Sequence, residues 1–364
     1  MLAFLYLHMV YKKGRGAQIN PPNRFLKNSG KENFYDDLPT EEERAELAAH
    51  HPATKYIKVF PKTIVNEVKS PDLPMMWSLN PYQGCEHGCV YCYARNAHEY
   101  WGFSTGMDFE TNILYKSNAP SLLRKQLSSP SWKASPIVVS GNTDCYQPVE
   151  RKLEITRKLL QIFYEFRHPV SVITKNSMIT RDTDILRPLA AHNLVHVNFS
   201  LTTLQEELKR KLEPRTASVR NALRTIEALS NENIPVNVMM APIIPGLNSH
   251  EILQVAKAVS EAGALSMKVI VVRLNGHNGL LFEDWLEKNY PDRKNKVLNG
   301  IKSLHGGKLN NSEFGMRQHG EGKISDMIHH QYRVAVNKFF KDRSMPEYNL
   351  ELYELYKTRQ LKLF

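Results

Sequence analysis

The 364-residue chain contains only four cysteines, too few for a disulfide framework, which places the expected compartment in the reducing cytoplasm. No apolar run approaches the ~20 residues of a membrane span, and the mean hydropathy is −0.43, so no membrane partner is expected. With 42% hydrophobic and 23% charged residues the composition excludes wholesale disorder, collagen and coiled coil. Internal repeats and low-complexity tracts are missing. So are the glycine spacing of dinucleotide folds and a G-K-[ST] phosphate loop; Gly306-Gly307 and Gly320-Glu321-Gly322 read as turns. Met1 to His8 are apolar, yet no basic region precedes them and no small-residue cleavage site precedes Lys12 and Lys13. A short surface strand, or Met9 as the initiator, accounts for that stretch.

Positive charge is in excess, 48 − 37 = +11. This balance suits a polyanionic partner such as nucleic acid, and equally a solvated basic surface. Arg15, Arg24 and the basic C-terminal helices are the phosphate-contact candidates, with solvated charge as the competing reading.

Residues 1–72 lack periodicity and are expected as an N-terminal arm. It runs from Arg15-Gly16-Ala17 to Asn23-Arg24-Phe25, followed by a short acidic helix capped by Thr40. From 73 to 275 the text alternates. β-Branched runs at 137–140, 170–174, 195–200, 236–240 and 268–272 follow a first strand leading into Cys85. Between them helical spacing recurs: Leu153, Thr156, Leu159, Leu160 and Phe163; Val219, Ala222, Leu223, Ile226 and Leu229; Ile252, Val255, Ala256 and Val259. Ser249 and Gly263 sit where a cap and a stop belong on the last helix. Six βα units without dinucleotide-type glycines imply an α/β fold, an open (βα)6 partial TIM barrel. Residues 276–364 form a helical C-terminal extension. One face carries Ile324, Met327, Ile328, Val336 and Phe339, a second helix starts at Leu350, and both are expected across the barrel opening or its side. His329 and His330 read as helix-surface residues.

Three of the four cysteines fall within eight residues: Cys85-Glu86-His87-Gly88-Cys89-Val90-Tyr91-Cys92. Three thiolates on one loop suit a [4Fe–4S] cluster with one iron left open. Structural zinc normally takes two separated ligand pairs, and only His87 and His98 lie nearby, so zinc is the alternative. The loop follows the first strand, where βα barrels collect catalytic groups.

C-x3-C-x2-C with an aromatic before the last cysteine, ahead of a (βα)6 pattern, resembles the radical S-adenosylmethionine (SAM) superfamily. The resemblance implies a [4Fe–4S] cluster on Cys85, Cys89 and Cys92, and SAM chelated at the open iron. Reduction, by a partner such as flavodoxin or ferredoxin, would cleave SAM to methionine and a 5′-deoxyadenosyl radical that abstracts hydrogen from the substrate. Tyr91-Cys92-Tyr93, Ser140-Gly141-Asn142-Thr143-Asp144, Val172-Ile173-Thr174-Lys175 and Asn198-Phe199-Ser200 are similar to the spore photoproduct lyase-like branch. Glu213-Pro214-Arg215-Thr216 and Ala241-Pro242-Ile243-Ile244-Pro245-Gly246 continue the series. The arm resembles that of a bacterial subfamily described as DNA repair photolyase-like. The likeness implies that Lys175 faces the SAM carboxylate, Ser200 binds the ribose, and Asn142 to Asp144 line the pocket. Ile243 to Gly246 would contact adenine.

Cys145, 145 − 92 = 53 residues past the motif, is the one leftover thiol. It is a hydrogen-donor candidate that stands after Asp144, whereas the lyases carry theirs before the Thr/Ser-Asp. Their reversal mechanism is therefore not transferred, and a small buried residue is the competing reading. Tyr91 and Tyr93 would relay a hydrogen atom or pack over the cofactors. DNA is the first substrate class implied, with RNA or protein modification as the runner-up. Outside enzymes, the alternative is a zinc or iron–sulfur module that binds nucleic acid.

Overall fold

The computed structural model describes residues 11–25, 53–73 and 76–361, with side chains to 358. The segment of Met1 to His8 and the acidic helix with Thr40 lie outside the described residues. Six parallel strands build the core. They are β3 (Trp77–Leu79), β6 (Ile137–Val139), β7 (Val170–Thr174), β8 (Val195–Ser200), β9 (Val236–Ile243) and β10 (Ser266–Val271), hydrogen-bonded in that order. β2 (Val65–Glu67) pairs antiparallel with β3 on one edge, and β10 forms the other edge, so the sheet stays open. Parallel strands need long crossovers, supplied here by helices Ala119–Leu127, Ile155–Glu165, Thr183–Ala190, Val219–Asn231 and Ile252–Glu261. The six βα units read from the β-branched runs are therefore present.

The central strands bury alternate Val and Phe positions completely, while the positions between them carry Ser171, His196, Asn198 and Asn237. Val170, Val172, Val195, Val197, Phe199, Val236 and Val238 are fully buried in one core with the inner faces of the crossover helices. A polar rung crosses this sheet without loss: Asn198 donates to Ser171, Asn237 to Asn198, and Ser266 to Asn237.

Local details depart from the sequence reading. Leu153 does not belong to the next helix, since Glu154 adopts φ +50° and the helix restarts at Ile155. The cap of Ile252–Glu261 is Glu251, not Ser249; Gly263, at φ +93°, does end the helix. Met327 is half exposed, while Ile328 of the helix Gly322–Phe339 lies in the core. That helix packs on Ile252–Glu261, and Tyr353 of the last helix donates to the Leu127 carbonyl, so the extension covers the barrel's side.

Two strands lie inside the stretch expected as an unstructured arm. One is β2; the other is β1 (Lys55–Val59), which pairs parallel with β5 (Asn112–Lys116), itself antiparallel to β4 (Tyr82–Gln83). This small sheet delivers the chain to Cys85, whose N–H donates to the Phe109 carbonyl. No helix among the described residues is long and apolar enough to cross a membrane.

Candidate active site

The cysteine loop sits at the carboxyl rim of the parallel strands and is held from every side. Val90 N–H donates to the Leu212 carbonyl, Arg95 Nε donates to the Cys89 carbonyl at 3.0 Å, and Asn278 Nδ2 to the Cys92 carbonyl at 2.9 Å. Glu86 is buried and accepts from Val149 N–H and the Tyr56 hydroxyl. His87, a zinc-ligand candidate from sequence, is a strut instead. Its Nδ1 lies 3.3 Å from Asp144 Oδ2, and Asn176 Nδ2 donates to its Nε2.

The N-terminal arm locks this loop. Glu110 is fully buried and accepts from Gly16 N–H, Ala17 N–H and the Arg95 guanidinium. Ala17 then packs in the same apolar group as Cys89. Arg15 is buried and donates to the Glu110 carbonyl, and Arg24 is paired with Glu99, so the two arginines considered for phosphate contact serve the arm's own docking. Asn20 and Asn23 add hydrogen bonds to Asp108 and to the Glu99 and Phe103 carbonyls. Gly16 admits no side chain, because a Cβ there would stand 1.7 Å from the Gly88 carbonyl oxygen. A Gly16→Ala variant is expected to lose about 1–3 kcal/mol of stability through overpacking. Denaturant unfolding measures this, and iron content after reconstitution should fall with it.

The rim residues expected at a cofactor converge above the loop. Lys175, directly after β7, has Nζ 3.1 Å from Glu213 Oε1 and 3.4 Å from both Thr202 Oγ1 and the Ala241 carbonyl. Glu213 is buried and also takes Lys209 Nζ at 2.5 Å, the Thr202 hydroxyl and the Tyr91 hydroxyl. Burial alone would raise the Glu213 carboxyl, yet Lys175 and Lys209 hold it below the usual carboxylate range. Ser200 ends β8, and its hydroxyl makes no hydrogen bond to a described residue.

Other expected residues take structural positions. Asp144 accepts from Tyr146 N–H and the Thr174 hydroxyl on one oxygen and from Lys175 N–H on the other, so it fixes the backbone that carries Lys175. Asn142 Nδ2 donates to Gln83 Oε1 at 3.3 Å. The Ile243 side chain is fully buried, which leaves its backbone to face a ligand; Gly246 turns the chain at φ +79°. Asn248 shapes that loop, accepting from Ile244 N–H and donating to the Thr202 and Pro242 carbonyls. Tyr91 is buried against Glu213, whereas Tyr93 is 47% exposed and donates to the Gly141 carbonyl. Cys145, considered as a hydrogen donor or as a small buried residue, is fully enclosed in the core cluster.

Glu213, Lys209, Glu110, Arg95 and Asn248 were not singled out from sequence as site residues. Glu213 stood in a quoted motif without a role. The signal that reveals it is a carboxylate two residues before Arg215 that folds back under the strand-end lysine.

The chain matches the Radical SAM superfamily over residues 79–259. An uncharacterised protein of Mycobacterium tuberculosis is 31% identical over 238 residues, 65% of this chain and 70% of that protein. The chain belongs to the radical SAM superfamily. It is an enzyme of that superfamily, whose members work with SAM and a [4Fe–4S] cluster. The radical SAM Nalpha-GlyT isomerase of Pseudomonas phage M6 is 24% identical over 173 residues, 47% of this chain and 34% of that enzyme. Among solved structures, a spore photoproduct lyase mutant with bound AdoMet and dinucleoside spore photoproduct aligns with a TM-score of 0.57. It has 13% identity, covers 84% of each chain, and so shares the fold.

The donor set of the radical SAM loop fits the superfamily's cluster. All four cysteines are free thiols. The positive charges of Lys175 and Lys209 favour the Cys89 thiolate, and that of Arg95 favours the Cys92 thiolate. Burial pushes all three thiols up, so metal binding would release protons. Among the described residues no three His, Cys, Asp or Glu side chains group as they would around a single metal ion.

Proposed function

We propose that this enzyme uses Cys85, Cys89 and Cys92 to hold a [4Fe–4S] cluster and cleaves SAM reductively to act on a nucleic-acid substrate. The observation that carries the reading is Lys175. Its ammonium stands at the rim with Thr202 and Glu213, on the same side as the cysteine loop. In this reading Lys175 takes the SAM carboxylate, and the Ser200 hydroxyl, hydrogen-bonded to no described residue, takes the ribose. The backbone of Ile243 to Gly246 meets adenine, and Asn142 lines the wall. Asp144 acts as a positioning residue, because it holds the Lys175 N–H. When bound, the cluster supplies the electron that makes the 5′-deoxyadenosyl radical.

The chain's own part is to bind, orient and keep water out. Tyr91 and Val90 close the floor beside Cys89, and Lys209 balances the carboxylate beneath Lys175. A small reductant of the flavodoxin or ferredoxin type would serve in the cytoplasm. The net charge of +11 favours nucleic acid over protein as substrate. The test is SAM turnover by the reduced enzyme with ultraviolet-damaged DNA, undamaged DNA, tRNA or an unrelated protein. Faster 5′-deoxyadenosine release with one of the nucleic acids supports the reading, and stimulation by protein alone contradicts it.

A further inference from the structure

Arg273 is bolted in place by its backbone, while its guanidinium makes no hydrogen bond or ion pair with a described residue. It follows β10 at the strand-end rim. The His305 ring bonds the Val272 carbonyl at 2.7 Å, and Leu274 N–H donates to the Leu309 carbonyl. Asn96, in the helical turns after Cys92, donates to the Asn275 carbonyl at 3.0 Å, and Asn278 of the same loop reaches the Cys92 carbonyl. The loop bearing Arg273 is therefore tied to the cysteine loop itself.

The guanidinium is partly buried yet makes no hydrogen bond or ion pair with any described residue. It lies over the ring of Tyr93, 5.6 Å from the centroid, and that ring is 47% exposed. Arg317 is a second cation nearby, already held by both oxygens of Asp72. Two guanidiniums beside one carboxylate leave a net positive patch at the rim. A half-buried arginine whose nearest carboxylate is already taken by a second arginine is costly to keep, and such a group at the rim is a candidate for a ligand anion.

We infer that Arg273 grips a phosphate of a single-stranded nucleic acid, with the exposed Tyr93 ring as the platform for the adjoining base. The inference rests on the nucleic-acid reading above and names the residues that deliver it. The pairing suits nucleic acid because a phosphodiester offers the arginine a bidentate anion one step from a flat base. An acidic peptide would satisfy the charge and leave the ring idle.

The test is fluorescence anisotropy of labelled short oligo(dT) and oligo(rU) on the reconstituted enzyme over a salt series. Arg273→Gln is expected to bind about tenfold more weakly, with the salt dependence shallower by about one counterion. Arg273→Lys should recover part of the loss. Tyr93→Leu should weaken binding about tenfold, and Tyr93→Phe should bind as the parent does. Arg220→Gln, exposed on an outer helix, should change neither quantity. The thermal midpoint of Arg273→Gln should fall little, since the removed charge makes no hydrogen bond or ion pair with a described residue, and this separates lost binding from lost fold. Equal losses in Arg273→Gln and Arg220→Gln would overturn the grip while leaving nucleic acid as substrate. Tighter binding of poly(Glu) than of either oligonucleotide would overturn both. An enzyme that cleaves SAM but binds no oligonucleotide would leave only the radical SAM assignment standing.

Discussion

A Cys89→Ala variant, reconstituted anaerobically, is expected to lose its brown iron–sulfur chromophore and all reductive SAM cleavage while remaining folded. The loop does not depend on that sulfur for its shape. Its path is set by hydrogen bonds to its main chain: Val90 N–H to the Leu212 carbonyl, and Arg95 Nε and Cys92 N–H to the Cys89 carbonyl. Removing one sulfur from a site 7% exposed deletes little packing, so stability should change by no more than about 1 kcal/mol. The matched variant is Cys145→Ala. Its thiol is fully enclosed, so it should keep the chromophore and pay only a small cavity cost. Iron and sulfide analysis of the two proteins side by side reads the difference. Equal iron in both would mean that the clustered thiols are not the ligands.

Glu213→Ala is expected to be the most destabilising single substitution at the rim. The carboxylate is buried with Lys175 and Lys209 on its two oxygens, and the Tyr91 and Thr202 hydroxyls donate to it as well. Lys209 is almost entirely buried and Lys175 mostly so. Deleting the acid leaves two ammonium groups facing each other without compensation. Breaking such a buried pair costs about 3–5 kcal/mol. Urea unfolding should show the loss, and Glu213→Gln should suffer too, because its amide N–H would face a lysine. The double variant Glu213→Gln with Lys209→Met removes one of the stranded charges and is expected to recover part of the stability. Wild-type stability in Glu213→Ala would mean that the pair is not formed in solution.

The strand skeleton was legible because its strands carry Val, Ile and Phe at close spacing, as in 170–174 and 195–200. Lys175 and Ser200 could be placed for the same reason, since they end those runs. The small sheet escaped notice. β1 is Lys-Tyr-Ile-Lys-Val with mostly exposed side chains, and β4 spans two residues, so neither has a period to read. Glu154 breaks a helix by a positive φ that no local residue type announces. Arg15 and Arg24 look like a basic arm when their partners, Glu110 and Glu99, lie more than seventy positions away. Separations of about forty positions likewise hide Glu213 beneath Lys175 and Asn248 beneath Thr202. What the sequence conceals is pairing across the rim, which the barrel creates only on closing its strands side by side.

The central claim is that three cysteines on one rim loop serve SAM cleavage. Its most direct measurement is anaerobic reconstitution followed by reduction with SAM, with iron, sulfide and 5′-deoxyadenosine quantified in one preparation. The account predicts about four iron and four sulfide per chain, and 5′-deoxyadenosine that disappears in Cys89→Ala. One zinc without sulfide, or an intact cluster that leaves SAM uncleaved, would contradict it.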